Sequence, residues 1–223
     1  MSRASEVTSD TLAWIWAYRE QLKLLDSFDA EGLHCAEATW EVDSWNEFLR
    51  TYGLMRGRHA ALRDKSETIL ASLTELYREP LPEADVAKEL TRRWLESASE
   101  VGRVVRERKD GAPAVLLSMT SKLLWFYQPQ EMTMFDTYAF RAIRKCNGFK
   151  KLEAKDYLFA FEEVFVKEKA SISAAAAFVD RKYPYLRRVL DKRLWLRGSG
   201  KEAKYLKRFE WSLQRAPLRK WTR

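Results

Sequence analysis

Lys122 and Asp136 are the residues around which this chain is organised. Lys122 follows a small polar cluster, Ser118, Thr120 and Ser121, and leads into an almost wholly apolar run at 123–127 that Pro129 stops. Asp136 stands beside Thr137 where a new helix should begin, and both residue types are good N-caps because their side-chain oxygens accept from free first-turn N–H groups. An amine and a carboxylate flanking a core-like segment are an unusual use of charge. Seven helical residues advance about 10 Å. The return segment 129–135 could span up to roughly 23 Å if extended, so it can carry Asp136 back beside Lys122. The pair could equally be a structural salt bridge that tethers two helices, or each residue could serve its own helix alone.

Ser121-Lys122-Leu123-Leu124, the following Pro129, and Phe135-Asp136-Thr137-Tyr138 resemble the lysine and "hydrophobic-Asp-Thr-His" segments of the helix-hairpin-helix DNA glycosylases. The closer likeness is to the bacterial 8-oxoguanine-glycosylase-like branch, which 190–195 and Gly198 also resemble near the C-terminus. The resemblance implies that Lys122 attacks C1′ of a damaged nucleotide. It implies that Asp136 supports the developing sugar cation and the proton transfers. Ser118 and Thr120 stand where the hairpin carries glycines, and Tyr138 stands where histidine is usual.

A lysine attacks only as the neutral amine; burial beside Leu124, Trp125 and Phe126 would disfavour its charged form, and an ionised Asp136 would favour it. The nucleotide would be flipped from the duplex into an apolar or aromatic pocket, for which Trp125, Tyr138 and Trp195 are the candidate walls. Each is also an ordinary core residue type. Ser118, Thr120 and Ser121 are candidate phosphate contacts through the backbone.

Charge points the same way. Residues 181–223 hold 15 Lys/Arg against 3 Asp/Glu, a net of +12, whereas the rest of the chain is net −4. A basic surface of this kind suits an anionic partner, and Arg187, Arg188, Lys192 and Arg193 are its candidate contacts. Trp195, Tyr205, Phe209, Trp211 and Trp221 interleave with the basic residues, as stacking on bases would require. The competing reading is a solvated helical face.

No cofactor is expected. His34 and His59 are too few for a zinc site, and Cys35 and Cys146 supply neither a disulfide framework nor the four ligands of an iron–sulfur cluster. Two isolated cysteines fit a reducing cytoplasm. The apolar runs fall short of the roughly 20 residues needed to span a bilayer, and the N-terminus has no signal-peptide pattern.

With only 8 Gly and 6 Pro, and 46% hydrophobic residues in long leucine-rich runs, the 223 residues read as a compact all-α, multi-helix domain. Asp10 is the expected N-cap of a helix at 11–25, with Trp14 and Trp16 as packing residues. A capping box at 44–47, with Ser44 and Glu47, opens a short helix, and 54–77 is helical. Pro80-Leu81-Pro82 should divide two lobes, 1–79 and 83–223, with a cleft between them. A long helix follows to about 109–111, and then the central stretch. Asp136 starts a helix with Ala139, Phe140 and Ile143 facing inward, closed at 147–148 by Asn147 and Gly148. The segment 156–169 is helical, with Leu158, Phe159, Phe161, Val164 and Phe165 as its apolar residues. Gly198 and Gly200 break the basic region into helical pieces.

The expected function is therefore a DNA glycosylase, with or without lyase activity. The alternative is a non-catalytic helical protein on a lapsed glycosylase scaffold, binding nucleic acid or a protein partner.

Overall fold

The computed structural model describes residues 8–25, 49–50, 64–105, 116–146, 148, 151–175 and 185–215. Within them it is all-α: eight helices and one 3₁₀ turn, with no strand. The capping box at 44–47, the His34-Cys35 pair, Arg56, Arg58, His59, Asn147 and Trp221 lie outside the described residues. No helix among the described residues is long and apolar enough to cross a membrane.

The chain forms two compact units. One combines Met1–Glu20 with Asp136–Arg223, and the other is Gln21–Phe135. The break expected at Pro80-Leu81-Pro82 thus falls inside a unit, and the chain passes between units at Glu20–Gln21 and at Phe135–Asp136. The physical reason is Arg93, whose side chain is only 2% exposed. It donates to the Glu79 carbonyl at 2.6 Å and the Pro80 carbonyl at 3.0 Å, so it ties the proline segment to the helix that follows.

In the Gln21–Phe135 unit, helix α2 (Ser66–Arg78) packs against α3 (Val86–Val105), and α3 packs against α4 (Leu117–Tyr127). Leu90, Trp94, Ala98 and Val101 recur at helical spacing and form the buried stripe of α3. Trp94 Nε1 donates to the Leu117 carbonyl at 2.8 Å, and its ring meets Phe135 with centroids 5.2 Å apart. Helix α4 ends at Tyr127, two residues before Pro129, where the residue ahead of a proline disfavours helical backbone.

The other unit contains α1 from Ser9 to Glu20, the first part of the helix Ser9–Leu25. It also contains α5 (Thr137–Cys146), the 3₁₀ turn Ala154–Asp156, α6 (Tyr157–Ala175), α7 (Leu186–Ser199) and α8 (Glu202–Arg215). Helices α5 and α7 pack most extensively. They approach so closely that a Cβ on Gly198 would lie 1.8 Å from the Tyr138 carbonyl oxygen. Gly200, at φ +66°, takes the left-handed conformation that closes α7.

The fold corrects one expectation and adds detail to another. Asp10 does not cap α1: the Thr8 hydroxyl accepts from the Thr11 N–H, while Asp10 accepts from Ser171 Oγ at 2.9 Å and pairs with Arg193 at 2.9 Å. Phe159, named among the apolar residues of α6, lies at its surface. It is 49% exposed, because the buried stripe of α6 runs through Leu158, Phe161, Val164 and Phe165.

Candidate active site

Helix α4 begins at Leu117, so Lys122 sits in its interior, not at its N-terminus. Residues 117–121, directly before the lysine, are helical, Ser118, Thr120 and Ser121 among them. Lys122 is 7% exposed. Its Nζ donates to the Ser118 carbonyl at 2.9 Å, to Ser118 Oγ at 2.6 Å and to the Phe135 carbonyl at 3.4 Å. The first two contacts follow from i,i+4 spacing, which stacks Lys122 over Ser118 on one helix face.

Ser121 completes the arrangement. Its hydroxyl donates to the Ser118 carbonyl at 3.1 Å and accepts from the Phe135 N–H at 2.9 Å. Adjacent side chains of α4 thus hold both polar groups of the Phe135 backbone, and Phe135 is peptide-bonded to Asp136. The returning chain is anchored one residue before the carboxylate.

Asp136 is the N-cap that its residue type and position foretell. Its Oδ1 accepts from the Tyr138 N–H at 2.8 Å, and its carbonyl accepts from the Phe140 N–H at 2.8 Å. Ala139, Ala142 and Ile143 of α5 are buried, and the half-buried Phe140 ring lies 6.2 Å from Tyr157.

Tyr157 is fully buried and sequence reasoning passes over it, since it reads as one more aromatic in an apolar stripe. Burial pushes its hydroxyl well above the ordinary tyrosine value, the Asp191 and Asp136 carboxylates push it the same way, and the Arg188 guanidinium opposes them. No spacing rule signals this group, because its members come from α5, α6 and α7.

The other expected contacts divide sharply. Tyr138 and Trp195 do meet, edge to face, with centroids 5.7 Å apart. Trp125 is 3% exposed and belongs to the core of the Gln21–Phe135 unit. Thr120 and Ser121 are fully buried, and the Thr120 N–H and hydroxyl are both given to the Leu116 carbonyl, at 3.1 Å each. An interior helical N–H already paired to a carbonyl has nothing to offer a phosphate.

Three of the four expected basic contacts are engaged by carboxylates. Arg187 is bidentate to Glu162 at 2.7 and 3.0 Å, with its guanidinium over the Phe165 ring. Arg188 is buried against Asp191. Arg193 pairs with Asp10 at 2.9 Å and Glu168 at 3.0 Å. Arg187 and Lys192 are partly exposed, whereas Arg188 and Arg193 are buried. A charge run does not say which of its members face inward, and α7 buries Arg188 and Arg193 together with Val189, Leu190, Leu194 and Leu196.

No group of side chains among the described residues could hold a metal ion. Comparison with known families, with curated proteins and with solved structures finds no match.

Proposed function

We propose that this protein is a DNA glycosylase that uses Lys122 as nucleophile and Asp136 as its acid/base partner. The observation that carries the reading is the buried Lys122 amine, held at 3.4 Å from the carbonyl of the residue that precedes Asp136. Attack of neutral Nζ on C1′ forms an N–C bond as the glycosidic bond breaks. The bonding pair leaves with the base, which takes up a proton, and the amine gives up its own. Asp136 stabilises positive charge on the sugar and handles those protons. Opening of the sugar ring then leaves a Schiff base on Lys122, the species from which a lyase step proceeds. Tyr138 and Trp195, which meet edge to face, are the aromatic residues for an extruded base. The partner is DNA and the setting is the reducing cytoplasm, where the exposed thiol of Cys146 stays reduced.

A second reading, a non-catalytic nucleic-acid-binding or protein-binding scaffold, is favoured by the structural work both residues already do. Asp136 caps α5, and Lys122 donates to Ser118 and Phe135.

Borohydride trapping separates the two. Wild type and Lys122→Gln are incubated with duplexes that each carry one damaged base or an abasic site. The glycosylase reading expects a covalent adduct that Lys122→Gln loses. A folded, DNA-binding wild type that gives neither adduct nor base release leaves the scaffold reading.

A further inference from the structure

The Met1–Glu20/Asp136–Arg223 unit carries an aromatic surface that extends beyond Tyr138 and Trp195, the two rings assigned to an extruded base. Trp16 from α1, Tyr138 from α5, Trp195 from α7 and Tyr205 from α8 are each partly exposed. Trp16 lies 5.8 Å from Trp195 and 5.1 Å from Tyr205, both edge to face, and Trp195 lies 5.9 Å from Tyr205. With Tyr138 at 5.7 Å from Trp195, four helices contribute one continuous group of rings. Flanking residues in the same helices, Ile15, Ala17, Leu194 and Leu196, are buried at 0–1% exposure. The group is therefore the place where the core reaches the surface. A contiguous, partly exposed aromatic patch of this kind marks an interaction site more often than scattered apolar residues do.

Charge around the patch is one-sided. The Arg141 guanidinium lies over the Tyr138 ring at 5.7 Å, and Arg141 itself is exposed. At about 100° per residue, Lys201, Lys204 and Arg208 all fall on one flank of Tyr205, within roughly 100° of it. All three are exposed. Glu202 falls on the opposite flank, where Ser9 Oγ donates to its carboxylate. A basic ridge thus runs beside the rings, and the nearest acid on α8 is turned to α1.

We propose that this surface binds unpaired nucleotides of single-stranded DNA, with bases against the rings and phosphates along Lys201, Lys204 and Arg208. Unpaired bases present π-faces that a duplex keeps stacked, and every base has one, so the surface selects strandedness and not sequence. A duplex would use the ridge alone. This inference is independent of the Lys122 chemistry, since it requires no base release.

The test is fluorescence anisotropy of the full chain with a labelled oligothymidylate of about 10 nucleotides, a length in the range of known single-strand sites. A duplex of the same length is the comparison. The single strand should bind more tightly than the duplex and quench tryptophan emission. Tyr205→Leu, which keeps apolar bulk and removes the π-face, should weaken the single strand at least about fivefold and leave the duplex unchanged. Tyr205→Trp should restore binding, which a purely structural role in packing would not predict. Replacing Lys201, Lys204 and Arg208 by Gln should lower the salt slope by about 0.7 for each phosphate that no longer meets a cation. Absence of single-strand binding, equal affinity for single strand and duplex, or unchanged binding by a folded Tyr205→Leu protein would each overturn the proposal. If Tyr205→Leu does not fold, Tyr205→Trp decides: affinity below wild type overturns it.

Discussion

Asp136 performs one demonstrable task, capping α5, and one proposed task, proton transfer, and the two can be separated by substitution. Asn is as good a cap as Asp but carries no charge. Asp136→Asn should therefore keep its stability within about 0.5 kcal/mol, whereas Asp136→Ala should lose about 1 kcal/mol. If the proposed chemistry holds, both should lower base release by about 100-fold or more. Equal activity of Asp136→Asn and wild type would remove the carboxylate from the mechanism. Gly198 makes a sharper structural case. The space that its missing Cβ leaves is filled by the Tyr138 carbonyl, which is backbone and cannot swing aside. Gly198→Ala should cost about 2–3 kcal/mol, as overpacking does, seen as a lower denaturation midpoint. A midpoint equal to wild type would mean that α5 and α7 can separate without loss.

Charges as well as apolar stripes connect the helices. Glu89 on α3 accepts from Arg92 at 2.8 and 2.9 Å and from Arg93 at 2.7 Å. The hydrogen bonds from Arg92, then Arg93, hold its carboxyl down to about 2, from an ordinary value of 4.5. Because the folded value is the lower one, this contribution is complete above about pH 4.5 and is lost as pH falls towards 2. Glu89→Gln should accordingly flatten the fall of stability across that window, measured as denaturant midpoints at several pH values. An acid limb as steep as that of wild type would show that other carboxylates govern it. In the other unit, Arg193 of α7 joins Asp10 of α1 and Glu168 of α6. Arg193→Ala leaves two carboxylates facing each other with their cation gone and should cost about 3 kcal/mol. A loss below about 1 kcal/mol would mean that water replaces the guanidinium.

Across the whole molecule, net basic charge and accessible basic charge are different quantities. The +12 of residues 181–223 includes Arg187, Arg188 and Arg193, all engaged by carboxylates within one unit. Arg188→Gln should therefore lower the unfolding temperature of the free protein markedly. Gln at the exposed Lys204 and Lys207 should leave that temperature unchanged and weaken DNA binding. Reversal of that pattern, with Arg188→Gln stable but unable to bind, would return α7 to the interface. The unit boundaries carry a related lesson. Pro80-Leu81-Pro82 has the composition of a linker, yet Arg93 binds it to α3, and the chain passes between units at Glu20–Gln21 and at Phe135–Asp136.

Helical class, the stop before Pro129, the cap at Asp136 and the buried stripes of α3 and α5 were legible in the residues, because propensity, capping and periodicity act over one or two turns. The apolar stripe of α6 was legible in register but not in detail, as Phe159 shows. Three-dimensional packing alone decided the rest. It placed Lys122 in a helix interior, since nothing nearby marks Leu117 as a start: Leu116 has no side-chain cap, and its N–H finds the Ala98 carbonyl on α3. It also chose which arginines of α7 face carboxylates, put Tyr157 near Asp191 and Asp136, and assembled four rings from α1, α5, α7 and α8. Each of these is a meeting of side chains far apart in the chain. A local pattern can license such a meeting, but only the packing of helices can bring it about.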